Sequence, residues 1–155
     1  MHPRDVPPEP TGTWQRTACY ATALRRADRA LSRVYDHALR PEKLTTTQFS
    51  LLSLLDRAPH DLTLSDLAET QAVDRTTLSR NLAPLVREGY VTVTPGRDRR
   101  RRAARLTTDG YAALQRARPL WEQAQEYVAG ERGLARMREL MTELHALSTI
   151  GASAD

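Results

Sequence analysis

The pattern of apolar and polar positions predicts long helices at both ends of the chain and a mixed segment between them. Apolar residues recur every three or four positions from about Thr13 to Leu39, which predicts one long amphipathic helix ending before Pro41. A second helix, from about Thr47 to Arg57, is apolar nearly all round and should be buried. Residues 1–12 are rich in proline and are expected to form a disordered tail.

The central segment, Leu62–Leu106, has the pattern of two short helices joined by a tight turn and followed by two strands. Ser65 is the predicted cap of the first short helix and Asp74 that of the second, because short polar side chains accept hydrogen bonds from free N–H groups. Gly89 is predicted to end the second helix. The buried side of that helix is expected to carry four apolar residues: Leu78, Leu82, Leu85 and Val86.

A strongly basic loop connects the two predicted strands. Residues 90–94 alternate as in a half-buried strand, Pro95 and Gly96 form a turn, and residues 101–106 return as the second strand. Six arginines fall within nine residues here: Arg97, Arg99, Arg100, Arg101, Arg102 and Arg105. Strand side chains alternate between two faces, so at least two of these arginines should be solvated or structural.

Two amphipathic helices complete the chain, from about Thr108 to Gly130 and from about Glu131 to Thr149. Together with the first helix, their apolar stripes exceed what the central segment can cover. We therefore expect an interface between two copies of the chain. The predicted fold class is mainly α with a small β-wing, a winged helix-turn-helix domain plus N- and C-terminal dimerisation helices.

Composition narrows the possible functions. The 155 residues carry a net charge of +4, and all the basic residues except Lys43 are arginines, which suit phosphate and guanine contacts. Cys19 is the single cysteine, so no intramolecular disulfide framework is expected and a cytoplasmic location fits. We expect no signal peptide and no membrane association. Neither catalytic motifs nor metal-ligand spacing are found, so we expect no enzyme, metal or cofactor.

Three stretches resemble the MarR family of bacterial transcriptional regulators. LTTTQFSLLSLL resembles the family's second helix, LSDLAETQAVDRTTLSRNLAPLVREGYV its helix-turn-helix, and DRRRRAARLTTDG its wing. The wing has an Asp-x-Arg pattern at Asp98 and Arg100, followed by Leu-Thr-x-x-Gly at Leu106, Thr107 and Gly110. The resemblance covers about residues 14–150. It implies a homodimer in which each winged module reads half of a palindrome in double-stranded DNA.

The resemblance implies one domain over residues 13–150, with dimerisation helices at 13–40 and 108–150 and a DNA-binding module at 45–107. The expected function is a sequence-specific DNA-binding transcriptional regulator, a repressor modulated by a small-molecule effector. Two alternatives stay open. One is a redox-sensing regulator that uses Cys19, and the other is a winged-helix module that binds proteins.

Base reading is expected from the first turns of the second short helix, because residues early in a recognition helix reach base edges. These residues are Arg75, Thr76, Thr77, Ser79 and Arg80. Arg75 or Arg80 could bind guanine O6 and N7, and Thr76 or Thr77 could touch a thymine methyl or a phosphate. The alternative is that Thr76 and Ser79 only solvate an exposed face.

In the wing, Arg97 and Arg99 are expected to reach the minor groove or flanking phosphates, because a narrow groove attracts arginine. The resemblance implies that Asp98 and Arg100 pair to stiffen the wing, with Arg100 also near the DNA backbone. Arg100 and Arg102 are expected on one strand face, with Arg99 and Arg101 on the other.

Two features point to an input signal. Cys19 could have a lowered pKa, although alignment with the family's peroxide-sensing branch puts the sensing position at Ala21; an inert thiol is the alternative. Trp14, Trp121 and Tyr127 could line an apolar effector pocket, and ordinary core or interface aromatics are the alternative.

Overall fold

The computed structural model describes residues 19–96 and 101–150. The elements in chain order are α1 (Tyr20–Leu39), a 3-10 turn (Arg40–Glu42), α2 (Thr46–Arg57), β1 (Leu62–Thr63), α3 (Leu64–Thr70), α4 (Arg75–Arg87), β2 (Val91–Pro95), β3 (Arg102–Leu106), α5 (Thr108–Arg132) and α6 (Leu134–Ile150). The predicted fold class, mainly helical with a small β-wing, is confirmed. The chain divides into two compact units, Met1–Val34 and Tyr35–Asp155.

The first unit contributes the N-terminal part of α1. The sequence predicted a helix start near Thr13, but Cys19 is not helical and α1 begins at Tyr20. The Cys19 carbonyl accepts hydrogen bonds from the N–H groups of Thr22 (2.9 Å) and Ala23 (3.0 Å), which closes the first turn. The predicted tail at residues 1–12 and the stretch 13–18 lie outside the described residues.

An apolar core around α2 holds the second unit together. The largest fully buried side chains come from five helices and β2: Leu39, Leu51, Leu52, Leu67, Leu78, Leu85, Leu114 and Val91. Complete burial of a leucine contributes about 1.5–3 kcal/mol relative to its exposed state. The prediction that α2 is buried is confirmed, because Phe49, Leu51, Leu52 and Leu55 are all buried. Trp121 of α5 stacks on Phe49 with ring centroids 5.4 Å apart.

The three strands form one antiparallel sheet with the order β1-β3-β2. Ala104 of the central strand faces Leu62 of β1 and Val93 of β2. Both Ala103 and Ala104 are buried, so small side chains occupy the middle of the sheet. Beyond the paired strands, the Gly96 N–H donates to the Arg101 carbonyl over 2.6 Å, which closes the hairpin below residues 97–100.

The helix caps explain most element boundaries and correct one prediction. Thr45 caps α2 with Gln48 as the reciprocal partner. The cap of α3 is Thr63 and not Ser65: Thr63 Oγ1 accepts from the Asp66 N–H (3.2 Å), and the Asp66 carboxylate accepts from the Thr63 N–H (3.0 Å). The acidic partner therefore lies at the required spacing, three residues after the true cap.

α4 ends where the sequence predicted, but one of its residues that was predicted to be buried is exposed. Gly89 has φ +75°, and the Tyr90 N–H donates to the Leu85 carbonyl, which gives a left-handed helix end. Val86 was predicted to be buried but is 42% exposed. Each residue turns a helix by about 100°, so Val86 lies about 40° beyond Leu82 and about 100° from Leu85, at the edge of the buried stripe.

α5 and α6 are separated at Gly133, which has φ +83°, and not at Gly130 as predicted. The apolar stripe of α5 is buried, but α6 has no buried residue. Its exposed large apolar side chains are Leu134, Leu140, Met141, Leu147 and Ile150. Within the described residues, no helix is long and apolar enough to cross a membrane.

Candidate nucleic-acid interface

α3 and α4 form a helix-turn-helix with a strained turn. The Val73 N–H donates to the Ala68 carbonyl over 3.0 Å, and buried Ala68 leaves room for the close approach of the chain. Ala72 takes φ +50°, in the left-handed region that favours glycine. The tight turn predicted from the sequence is thus built with an alanine in a backbone conformation that costs an L residue energy.

Asp74 caps the N-terminus of α4, as predicted. Its carboxylate accepts hydrogen bonds from the Thr77 N–H (2.9 Å) and from the Thr77 hydroxyl (2.7 Å). These bonds, the backbone one first, lower the pKa of Asp74 below its ordinary value. The hydroxyl hydrogen of Thr77 is thus used inside the cap, whereas Thr76, Ser79 and Arg80 are exposed on the first turns of the helix.

Arg75, the first residue of α4, reaches back to α3. Its Nη2 donates to Ser65 Oγ over 3.0 Å. This contact holds the guanidinium beside the crossing of the two helices. The structure therefore separates the two arginines that the sequence treated alike: Arg75 donates a hydrogen bond to Ser65, and Arg80 is an exposed side chain five residues further along the helix.

The arginines of the wing fall into different classes. Arg105 forms a double hydrogen bond with Asp61, with Nε–Oδ1 2.9 Å and Nη2–Oδ2 2.8 Å, and this carboxylate raises the pKa of Arg105. Arg105 is therefore structural, as expected for part of the cluster. Arg101 and Arg102 are exposed, and Arg102 Nη2 lies 3.5 Å from the Val93 carbonyl. The predicted wing residues Arg97, Asp98, Arg99 and Arg100 lie outside the described residues.

A groove of about 390 Å³ lies between the two helices of the motif and the base of the wing. We call it the basic groove, and its lining residues are Leu64, Ser65, Arg75, Leu78, Ser79, Arg101 and Arg102. The sequence predicted Arg75 and Ser79 as DNA contacts, whereas Ser65 was predicted only as a helix cap and Arg101 and Arg102 only as members of the arginine cluster. That cluster was a signal for Arg101 and Arg102, but nothing in the local sequence indicated that Ser65 lies at the groove.

Of the three aromatic residues predicted to line an effector pocket, Trp121 lines a cavity and Tyr127 does not. Trp121 lines a cavity of about 320 Å³ together with residues of α2 and with Gln71. Gln71 Nε2 donates to Ser50 Oγ over 3.2 Å at its edge. Tyr127 is 59% exposed and is not among the lining residues, and Trp14 lies outside the described residues.

Cys19, the candidate redox residue, has an exposed thiol. Hydrogen bonds from the Thr22 N–H and the Thr22 hydroxyl lower the pKa of this thiol, and the nearby charge of Arg25 acts in the same direction. A lowered pKa increases the fraction of reactive thiolate at neutral pH. Residues 19–96 and 101–150 contain no group of three or more potential metal ligands.

Several known proteins are similar to this chain in both sequence and fold. The model of the MarR family matches residues 43–102. An HTH-type transcriptional regulator of Bacillus cereus is 38% identical over 106 residues, which are 66% of this chain and 70% of that protein. The M. tuberculosis transcriptional regulator MosR, solved in complex with DNA, is 42% identical, with a TM-score of 0.74 over 84% of this chain and 96% of MosR. The transcriptional repressor CouR, bound to a 23-mer DNA duplex, is 26% identical, with a TM-score of 0.78 over 90% of this chain and 99% of CouR.

Proposed function

Because this chain belongs to the MarR family of DNA-binding transcriptional regulators, which are not enzymes, we propose that it binds a palindromic operator as a homodimer and represses transcription. The observation that carries the proposal is the capped start of α4, where Thr76, Ser79 and Arg80 are exposed side by side. A DNA-binding regulator of this kind would act in the cytoplasm.

Arg80 is the residue that we propose reads a base. It is exposed on the first turns of α4, where side chains of a recognition helix reach the major groove. Arginine can donate two parallel hydrogen bonds to guanine O6 and N7. Thr76 and Ser79 would contribute to the same surface, whereas Thr77 has its hydroxyl engaged with Asp74.

The wing is proposed to supply contacts that do not depend on sequence. Arg97 and Arg99 would enter the minor groove or bind flanking phosphates, and Asp98 would pair with Arg100 to stiffen the loop. The closed hairpin base between Gly96 and Arg101 supports this arrangement, because it holds both ends of the loop together. Phosphate contacts of this kind fix the position of a protein on the duplex.

The exposed apolar side chains of α6 support the proposal of a homodimer. No residue of α6 is buried, and contiguous exposed apolar surface commonly marks an interaction site. We therefore assign residues 13–40 and 108–150 to dimerisation and residues 45–107 to DNA binding. Half-sites read by two copies would lie about one helical turn of DNA apart.

A small-molecule effector would bind in the cavity that Trp121 lines. The cavity combines the aromatic faces of Phe49 and Trp121 with hydroxyl and amide groups, a mixture typical of small-molecule sites. Such an effector would change DNA affinity if it bound one spacing of the two modules more tightly than the other.

The proposal is tested by selecting bound fragments from the source genome and measuring affinities for the selected and for scrambled DNA. Arg80→Ala should lower the preference for selected DNA by about 1–3 kcal/mol for each guanine that the arginine no longer reads. Arg87→Ala is the matched control, because Arg87 lies in the last turn of α4 beside Glu88. An equal preference for selected DNA in both variants would contradict the assignment of Arg80. Failure of the wild type to select any fragment at moderate salt would favour the protein-binding alternative.

A redox-sensing regulator is the second candidate, and the lowered pKa of the exposed Cys19 thiol favours it. It would use the same DNA-binding module with a different input. Oxidation of a low-pKa exposed thiol is faster than that of a buried one.

A further inference from the structure

We infer that the basic groove binds one phosphate of the DNA backbone and so links the recognition helix to the base of the wing. This inference rests on the proposed DNA-binding function and adds a site to it. The residues that carry it are Ser65 of α3, Arg75 and Ser79 of α4, Arg102 at the start of β3, and Arg101 immediately before that strand.

The electrostatics of the groove favour an anion. Among the residues that the structure describes, its lining contains three arginines and no carboxylate. Ion pairs among the described residues involve other arginines, among them Arg87, Arg105, Arg116 and Arg118. Guanidinium groups bind phosphate through parallel hydrogen bonds and have no acceptor that would disfavour an anion. The groove therefore concentrates positive charge that the described part of the protein does not neutralise within it.

Two described acids, Asp66 and Asp74, lie close to the groove residues and are engaged in caps. Asp66 accepts hydrogen bonds from Thr63, and these bonds, with a smaller effect from Arg101, lower the pKa of its carboxyl. Asp74 is held by Thr77 at the start of α4. Both carboxylates keep their charge at neutral pH, and neither lines the groove.

Size and donor geometry also fit a phosphate. The volume of about 390 Å³ is large enough for a phosphate together with bridging waters. Ser65 Oγ accepts a hydrogen bond from Arg75, which leaves the serine hydroxyl hydrogen for the anion. Ser65 is thus a positioning residue that holds Arg75 at the groove.

The site changes the role of Arg75. The sequence allowed it to read guanine, but its tether to Ser65 directs it to the groove shared with Arg101. A phosphate held from both sides would fix the distance between the first turn of α4 and the wing. Contacts of this type set the register in which the exposed residues of α4 meet the bases.

The first test is the salt dependence of operator binding by Arg75→Ala and Arg101→Ala in the full-length protein. Each phosphate neutralised contributes about 0.9 to the slope of log K against log salt, so removing one phosphate interaction from each half of a dimer should lower the slope by up to about 1.8. Arg105→Ala is the matched control: it removes the same charge four residues further along the chain, but Arg105 is paired with Asp61. Equal slopes for Arg101→Ala and Arg105→Ala would overturn the inference.

The second test uses operator duplexes in which one phosphate at a time is replaced by an uncharged methylphosphonate. We expect one phosphate in each half-site whose replacement weakens the wild type but has no further effect on Arg75→Ala or Arg101→Ala. If the two variants respond at different phosphates, or at none, the groove is not a shared site. Ser65→Ala should weaken operator binding and Ser65→Thr should restore it, without a change in thermal stability. Failure of the wild-type protein to bind any operator would overturn the proposed function itself. Normal binding by the wild type, with no phosphate to which both variants have lost their response, would overturn only the inference about the groove.

Discussion

Gly110→Ala should destabilise the protein, although alanine is normally the better helix former. Gly110 is the third residue of α5, and an added Cβ there would overlap the Tyr90 carbonyl oxygen. It would also lie 2.8 Å from Leu106 Cδ1 and 2.9 Å from the Tyr90 carbonyl carbon. The leucine side chain can turn away, but the backbone of Tyr90 is fixed. Its N–H donates to the Leu85 carbonyl, and its own carbonyl accepts from the Thr107 N–H (3.0 Å). The Thr107 hydroxyl lies 3.1 Å from the same carbonyl but closer, at 2.7 Å, to the Gly89 carbonyl.

Three contributions set the size of the effect. Replacing glycine by alanine inside a helix contributes about 0.5–1 kcal/mol of stability. Forcing extra volume into a packed site costs about 1–3 kcal/mol. Moving the Tyr90 carbonyl also weakens its hydrogen bond from the Thr107 N–H, and such a bond is worth about 0.5–1.5 kcal/mol. The expected net destabilisation is about 2 kcal/mol, or roughly 4–8 °C in melting temperature for a chain of this size.

Urea unfolding at one fixed protein concentration measures this change, because the stability of a dimer depends on concentration. Gly130→Ala is the matched control in the same helix, since an added Cβ at Gly130 meets nothing within 4 Å. That variant should be more stable by about 0.5–1 kcal/mol. The reasoning is refuted if Gly110→Ala is as stable as the wild type, or if both variants shift stability in the same direction.

Three further changes test single features of the molecule. Ala72→Gly should raise stability by about 0.5 kcal/mol, because relief of left-handed strain exceeds the entropy that glycine adds to the unfolded chain; a destabilised variant in urea unfolding would contradict it. The pKa of Asp74 is lowered below its ordinary value of 3.8, so its carboxylate stabilises the fold above that pH and loses this effect as the pH falls through the pKa of the folded state. The wild type should therefore melt at a higher temperature than Asp74→Asn at neutral pH, and this difference should shrink in acid; a constant difference would argue against it. If Cys19 senses oxidants, peroxide should release the wild type from DNA but not Cys19→Ser, as measured by gel shift; equal release would exclude the thiol.

Local chemistry made most of the elements predictable from the sequence. Asp74 and Thr107 have short polar side chains directly before helical periodicity, and both cap the helices that follow. Gly89 stops α4 because it adopts positive φ without strain. The wrong cap for α3 arose from the same rule, since both Thr63 and Ser65 can cap and only the acidic partner at Asp66 decides between them.

Contacts between distant residues were not predictable. Arg105 meets Asp61 across 44 positions, and no local pattern separates it from the other wing arginines. The tether from Arg75 to Ser65 depends on how α3 and α4 cross, which the turn at Ala72 sets through its unusual φ. The pattern that contains Gly110 was visible in the sequence, but its cause is the carbonyl of Tyr90, which the fold brings beside it.

The junction at Tyr90 limits how an effector could act on DNA binding. The end of α4, the start of β2 and the start of α5 share hydrogen bonds at Tyr90 and Thr107. A shift of α4 relative to the start of α5 would break several of these bonds and expose the packed face of Gly110. Such a shift therefore costs more than moving the module and the start of α5 together. In the proposed homodimer, regulation would thus change the distance between two rigid recognition helices and leave the internal geometry of each module unchanged.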